Sequence, residues 1–308
     1  MFQDTELTAY LAAEGYEEQL ARELGSYDMR YERLFVVEGP PRPAHWAANV
    51  WLDPRVIEIG SIGEGNKALR AIQRNWAHYP VAAHGRARLI EEKLPRVSMT
   101  RLWEFPMELP SSPMGSWCLI DKNHVLASPH GSRPFPHGEV HFVEDHMSPP
   151  NRAYLKLWEA LTLLGHRPEP GQRCLDLGSS PGGWTWVLHQ LGAHVISVDK
   201  APLHPRIAQL DRIEHHQESA FGLEPESIGK VDWLFCDIAC YPERLYKLLS
   251  RWLESDLCAH YVCTLKFQGQ PDYSIIDEFS AIPGLRLLHL HHNKHELTLL
   301  LTPPPSAR

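Results

Sequence analysis

From residue 149 onward, short apolar runs alternate with stretches of helical periodicity, the pattern of strands separated by crossover helices. The runs fall at 173–178, 194–199, 213–217, 231–238, 260–267, 285–292 and 296–302, and a helical pattern covers Asn151 to Leu164. This predicts an α/β fold built on a Rossmann-like, doubly wound sheet. Only a few residues join the last two runs, so they form a hairpin and the last strand is antiparallel, placed by this reading at the sheet edge. Ahead of residue 106 the pattern is shorter and mixed. It predicts a strand from Glu6 to Ala12, a helix from Glu14 to Leu24 with Tyr16, Leu20 and Leu24 on one face, strands at Tyr31 to Val37 and Val50 to Ile59, and a helix from Asn66 to Ala77. That is a smaller α+β module. Between Pro106 and Pro150 the chain is rich in proline, glycine and histidine, with a hairpin expected around Trp117 to Ala127. The expected organisation is 1–110, a connecting segment 111–150, and 151–308.

One stretch of the second half carries the first chemical signal. Leu175, Asp176 and Leu177 close a strand, and the backbone then runs through Gly178, Ser179, Ser180, Pro181, Gly182 and Gly183 before a helix opens at Trp184. Three glycines let a ligand lie against the main chain, and the unpaired N–H groups of a helix start favour an anionic group. The next strand delivers Asp199 about twenty residues on, where an acid commonly meets the ribose hydroxyls of a nucleoside. A dinucleotide loop is disfavoured, because Ser180 stands at the middle glycine of G-x-G-x-x-G and Pro181 follows it; no G-x-x-x-x-G-K-[ST] loop occurs either. The spacing therefore asks for a nucleoside with an anionic tail.

Further polar residues end the other strands on the same side. Asp237 closes the run Val231 to Cys236, Lys266 closes Tyr261 to Leu265, and Glu296 opens the last strand after Asn293-Lys294-His295. In an open α/β sheet that side is the ligand edge. Lys156, on the helix preceding the sheet, reaches it if that helix covers the edge.

Asp176 followed by Pro181-Gly182-Gly183-Trp184 resembles the S-adenosylmethionine loop of FtsJ-type methyltransferases. Lys156 in NRAYLKLWEA, Asp237 in DWLFCDIA, Lys266 in CTLKFQG and Glu296 in HHNKHELTLLL are similar, in order and context, to the Lys-Asp-Lys-Glu tetrad of FtsJ-type RNA ribose 2'-O-methyltransferases. The setting resembles the RlmM branch, which methylates a cytidine of large-subunit ribosomal RNA. The resemblance covers residues 130 to 303. It implies S-adenosylmethionine as cofactor, with Lys266 as base or alkoxide stabiliser, Asp237 and Lys156 assisting, and Glu296 in support. A 2'-hydroxyl is a poor nucleophile and loses its proton as it attacks, which a lysine serves only with a lowered pKa or as a fixed positive donor; two neighbouring lysines lower each other's pKa. Cofactor contacts are expected from Asp176 and the loop 178–184, from Asp199, from Asp237 and from the segment after the third strand. There the family often has an aspartate at the adenine amino group. This chain has Ser219, so Glu218 or backbone groups take that role. Members of the branch carry a THUMP-containing RNA-binding region, implied here for residues 1–110.

Charge bears on the partner. The formal net charge is −8, yet residues 66–103 hold eight basic residues (Lys67, Arg70, Arg74, Arg86, Arg88, Lys93, Arg96 and Arg101) against Glu91 and Glu92, a local +6. RNA is expected there, with Arg86, Arg88 and Arg96 on phosphates and Trp76, His78, Tyr79 and His84 offering rings to bases. Hydrophobic content of 43% and charged content of 22% fit an ordinary globular protein. The opening MFQDTELTAY has acids where a secretory signal needs basic residues, and no apolar run reaches membrane-span length, so a cytoplasmic location without membrane is expected. Six cysteines without CxxC spacing read as reduced core residues. Nineteen histidines include His289, His291, His292 and His295, and His137, His141 and His146; methyl transfer needs no metal, and none is expected. The alternatives are methylation of transfer RNA or capped messenger RNA, a small-molecule methyltransferase, and a catalytically silent RNA-binding homologue.

Overall fold

A computed structural model describes residues 6–269 and 272–303. The chain divides into two compact units, Met1–Phe142 and Val143–Arg308.

The first unit contains β1 (Leu7–Ala12), α1 (Glu17–Leu24), β2 (Met29–Tyr31), β3 (Leu34–Glu38), β4 (Ala47–Leu52), β5 (Arg55–Glu58), α2 (Ile62–Ile72), β6 (Trp76–His78), α3 (His84–Glu91), β7 (Leu102–Trp103), β8 (Gly115–Leu119), β9 (His124–Ser128), β10 (His130–Gly131) and β11 (His141–Phe142). One sheet runs β10-β4-β1-β3-β2 and a second β5-β9-β8-β6, while β7 and β11 form a parallel pair. Alternation along β8 and β9 explains how the second sheet is buried on both faces. Trp117, Leu119, Val125 and Ala127 point to a cluster with Leu69, Ala87 and Ile90 of α2 and α3; Cys118 and Leu126 point to one with Leu7, Ala9, Leu11 and Val36 of the first sheet. The segment 111–150, expected as a connector, thus supplies β8, β9, β10 and β11.

The strand expected from Val50 to Ile59 divides into β4 and β5, which lie in different sheets, and the helix expected from Asn66 to Ala77 differs at both ends for local reasons. The helix expected from Asn66 starts at Ile62, because the Ser61 side chain accepts the Glu64 N–H while Glu64 accepts that of Gly60, a reciprocal cap. It stops at Ile72, and Trp76–His78 becomes a strand alongside Gly115–Trp117. Trp76 and Tyr79 are buried in the two clusters, and His78 packs at a tilt against Trp117 with its pKa lowered to about 4, chiefly by burial. Of the four rings expected to meet bases, only that of His84 is exposed.

The second unit contains α4 (Tyr154–Leu164), β12 (Arg173–Leu177), α5 (Gly183–Gln190), β13 (His194–Val198), α6 (Pro205–Ala208), β14 (Ile213–His216), α7 (Pro225–Ile228), β15 (Val231–Cys236), α8 (Pro242–Ser255), β16 (Cys258–Lys266), α9 (Ile275–Ser280), β17 (Arg286–Leu288) and β18 (Glu296–Leu301). Its sheet order is β14-β13-β12-β15-β16-β18-β17. The strands through β16 pair in parallel, and β18 is antiparallel to both β16 and β17. The last strand is antiparallel as expected, but it is not the edge. It lies between β16 and β17, and its first five residues are buried. All six cysteines are buried and free of disulfides. No helix among the described residues is long and apolar enough to cross a membrane.

Candidate active site

Strand ends set the site. β15 delivers Asp237, whose N–H continues the ladder by donating to Leu177 O at 3.1 Å. β16 ends at Lys266 directly opposite Glu296 of β18, so the two form a cross-strand pair. α4 brings Lys156. Its Nζ donates to both Asp237 carboxylate oxygens at 3.0 Å and to Glu296 Oε1 at 3.1 Å. Lys266 Nζ lies 2.9 Å from Asp237 Oδ1 and donates to the Asp237 main-chain oxygen at 2.7 Å. The four residues expected from four separate segments therefore meet around one carboxylate.

Charge balance decides their protonation. Burial pushes Lys156 toward the neutral amine, but the Asp237 and Glu296 carboxylates outweigh it and hold its pKa above the ordinary lysine value. Burial likewise works against Asp237; the Lys156 and Lys266 ammoniums and the Thr264 hydrogen bond overcome it and hold the carboxyl below its usual range. The expectation that the two lysines depress each other's pKa thus fails for Lys156, because two acids stand closer to it than the second lysine's charge can offset. Lys266 is the more exposed amine, at 21% against 12% for Lys156.

Beside this cluster, a cavity of about 240 Å³ opens between the ends of β12, β13 and β15, lined among others by Gly178, Asp199, Glu218, Ser219, Phe221 and Ile238. Gly178 has φ +77°, and a Cβ there would stand 2.5 Å from Ile238, so glycine is required twice over. Asp199 Oδ2 accepts the Ser180 N–H at 3.1 Å and its Oδ1 that of Ala201 at 2.9 Å, which fixes the carboxylate at the wall. The other expected cofactor residues build the loop instead of lining the cavity. Ser179 accepts the buried Ser197 hydroxyl at 2.7 Å; Ser180 donates to Pro202 O; Pro181 follows a cis peptide bond. Gly182 (φ +114°) packs on Ile207, Gly183 leaves no room for a Cβ against Asn151, and the buried Trp184 donates to Ala153 O at 2.9 Å. A nucleoside fits this lining, with the Gly178 backbone and the fixed Asp199 carboxylate at the cavity wall.

Asp176 lies beneath the loop, 1% exposed, and accepts the Thr185 hydroxyl at 2.6 Å while its Oδ1 has no partner. Burial, opposed by Thr185 and reinforced by the charges of Asp237 and Asp199, raises its pKa to about 7. Between the ordinary 3.8 and about 7 the folded chain keeps a proton that the unfolded chain has released, so this group lowers stability as pH rises through that window. Asp176→Asn is expected to flatten that decline, measured as denaturant midpoints from about pH 4 to 8. Parallel profiles for the two proteins would exclude the assignment.

Sequence reading missed Thr264, whose hydroxyl donates to Asp237 Oδ1 at 2.6 Å. Its signal was a polar residue inside the apolar run YVCTL. Among the described residues, no group of three or more His, Cys, Asp or Glu side chains could hold a metal ion.

The FtsJ-like methyltransferase family profile matches residues 149–268. "Ribosomal RNA large subunit methyltransferase M" of Alkalilimnicola ehrlichii is 32% identical over 280 residues, 82% of this chain and 76% of that protein. The protein of the same name from Halorhodospira halophila is 35% identical over 158 residues, 49% of this chain and 46% of that protein. The chain therefore spans about three quarters of the first relative's length and about half of the second's. Among solved structures, Burkholderia thailandensis 1,6-didemethyltoxoflavin-N1-methyltransferase with bound S-adenosylhomocysteine aligns at 16% identity and a TM-score of 0.35, covering 49% of this chain and 78% of that one, too loosely to carry an argument. The chain belongs to the FtsJ-like methyltransferases, in the family of Ribosomal RNA large subunit methyltransferase M.

Proposed function

We propose that this chain transfers a methyl group from S-adenosylmethionine to the 2'-hydroxyl of a cytidine in large-subunit ribosomal RNA, acting in the cytoplasm. The observation that carries this reading is the Lys156–Asp237–Lys266–Glu296 cluster, closed around one carboxylate beside the glycine-loop cavity. Gly178, Asp199, Glu218 and Ser219 would hold the cofactor, with Ser219 and its neighbours at the adenine end. When bound, S-adenosylmethionine supplies an electrophilic methyl group on a sulfonium.

The chain's own residues do the rest. Lys156 is committed to three carboxylate contacts and stays protonated, so it orients rather than accepts. Once it has released a proton to solvent, Lys266 Nζ, more exposed and tied to Asp237 through two oxygens of that one residue, takes the proton of the 2'-hydroxyl as a neutral amine. Asp237 then stabilises the ammonium that results, and Glu296 keeps Lys156 in register. Holding the hydroxyl and the methyl donor together contributes as much as the proton transfer or more.

RNA docking falls to the first unit, on the basic surface of α2 and α3. Lys67 and Arg70 on α2, Arg88 on α3, and Arg74, Lys93 and Arg96 in the segments that follow these helices are exposed, while Arg86 is half-buried. The test is transfer of labelled methyl to total RNA from cells lacking the protein, followed by digestion to nucleosides. Label is expected in 2'-O-methylcytidine of the large ribosomal RNA. Replacing Arg88, Lys93 and Arg96 by serine is expected to lower RNA affinity and to cut the slope of log affinity against log salt by roughly 0.7 per lost phosphate contact. Label confined to transfer or messenger RNA would change the substrate, and cofactor binding without labelled RNA would reject the activity.

A further inference from the structure

Glu159 sits one helical turn beyond Lys156 on α4 and is 0% exposed. Its Oε1 accepts the main-chain N–H of His291 at 2.8 Å. Its Oε2 accepts that of His292 at 3.0 Å and lies 2.7 Å from His292 Nδ1. A buried carboxylate persists only where its lone pairs are filled, and two consecutive main-chain donors with an imidazole fill them. The segment so held is the turn that opens β18. Asn293 N–H donates to Leu290 O at 3.1 Å, His289 Nε2 lies 3.0 Å from Lys294 O, and the Asn293 amide reaches Glu296 O at 3.2 Å and Thr298 Oγ1 at 3.1 Å. The turn is a small body braced by its own bonds, and α4 grips it twice: Lys156 holds the Glu296 side chain, and Glu159 holds the backbone a few residues earlier. Since 156 and 159 share a helix face, the two grips move together.

We propose that Glu159 is a positioning residue for methyl transfer: it fixes the 290–295 turn against α4 and so sets Glu296 within bonding distance of Lys156. The inference deepens the function proposed above and rests on it. It differs from the role of an ordinary buried anchor in one measurable way, because its effect on turnover passes through Glu296.

Glu159→Gln keeps the volume but offers one acceptor and one donor where the carboxylate offers two acceptors, so one main-chain N–H faces another N–H. The expected result is a kcat about tenfold lower, the size of one lost charge-assisted hydrogen bond, with the S-adenosylmethionine Kd and the RNA KM within about twofold of the parent. In a Glu296→Ala background the same change is expected to have no further effect; penalties that multiply would overturn the proposal. A crystal structure of Glu159→Gln is expected to show Lys156 Nζ and Glu296 Oε1 beyond about 4 Å. A retained contact near 3.1 Å would overturn it too. That distance is read whether or not the parent methylates ribosomal RNA, so an inactive parent sinks the proposed function and leaves the positioning test standing. If Glu159→Gln does not fold, His292→Ala, which removes the imidazole with its Glu159 and His291 contacts and keeps the main-chain N–H, takes its place in both measurements, with about a threefold effect expected and no effect in either as the overturning result.

Discussion

Lys266→Ala is expected to lower methyl transfer to RNA by about two to four powers of ten while leaving the affinity for S-adenosylmethionine unchanged. The two effects separate because Lys266 Nζ is bonded to Asp237, whereas the cavity is walled by Gly178, Asp199 and Ser219. Single-turnover transfer and calorimetric binding on the same preparation measure both. Lys266→Arg is the sharper variant, since a guanidinium keeps the positive charge but does not give up its proton at any working pH. It is expected to be as inactive as the alanine protein. Partial activity in the arginine variant would make Lys266 a fixed donor to the developing alkoxide, and full activity in the alanine variant would remove it from the chemistry.

Asp237→Asn is expected to produce the second large effect, on stability and activity together. One carboxylate receives Lys156, Lys266 and the Thr264 hydroxyl, and its side chain is 15% exposed. Neutralising it leaves two ammoniums with Glu296 as the remaining anion of the cluster. Breaking a buried ion pair from one side costs about 3–5 kcal/mol, and loss of the oriented lysine is expected to lower turnover at least about a hundredfold. Because the folded carboxyl has a lowered pKa, its stabilisation is present above the ordinary carboxyl range and is lost as pH falls through the lowered value. The stability gap between parent and variant therefore closes in acid. Denaturant titrations at neutral and acidic pH decide it: equal midpoints at neutral pH would mean that the cluster does not bear on folding.

The tetrad was legible because each member interrupts or ends an apolar run, and in an open sheet such ends converge on one side. The loop was legible for the same reason that Gly178 admits no side chain, since a backbone that tight leaves a mark in the sequence. Lys156 was harder, because only tertiary packing brings α4 over the strand ends. Glu159 left a fainter trace, an acid within YLKLWEALTLL, a helix apolar on nearly every side. The rings at Trp76, His78 and Tyr79 misled because basic and aromatic residues interleaved in sequence do not reveal which face is inside. Only the parallel pairing with β8 turns Trp76 toward the core. The edge position assigned to the last strand had a similar cause. A short connection dictates a hairpin and is silent on which arm lies outermost.

The insertion of β18 between β16 and β17 also orders events during synthesis. Every other described strand of the second sheet precedes it in the chain, so β16 lacks its neighbour on that side until β18 is made. Lys266 waits on that side, facing the place that Glu296 will fill. Completion of the sheet and completion of the charge cluster are thus one event, and a nascent chain cannot assemble the cluster before β18 is made.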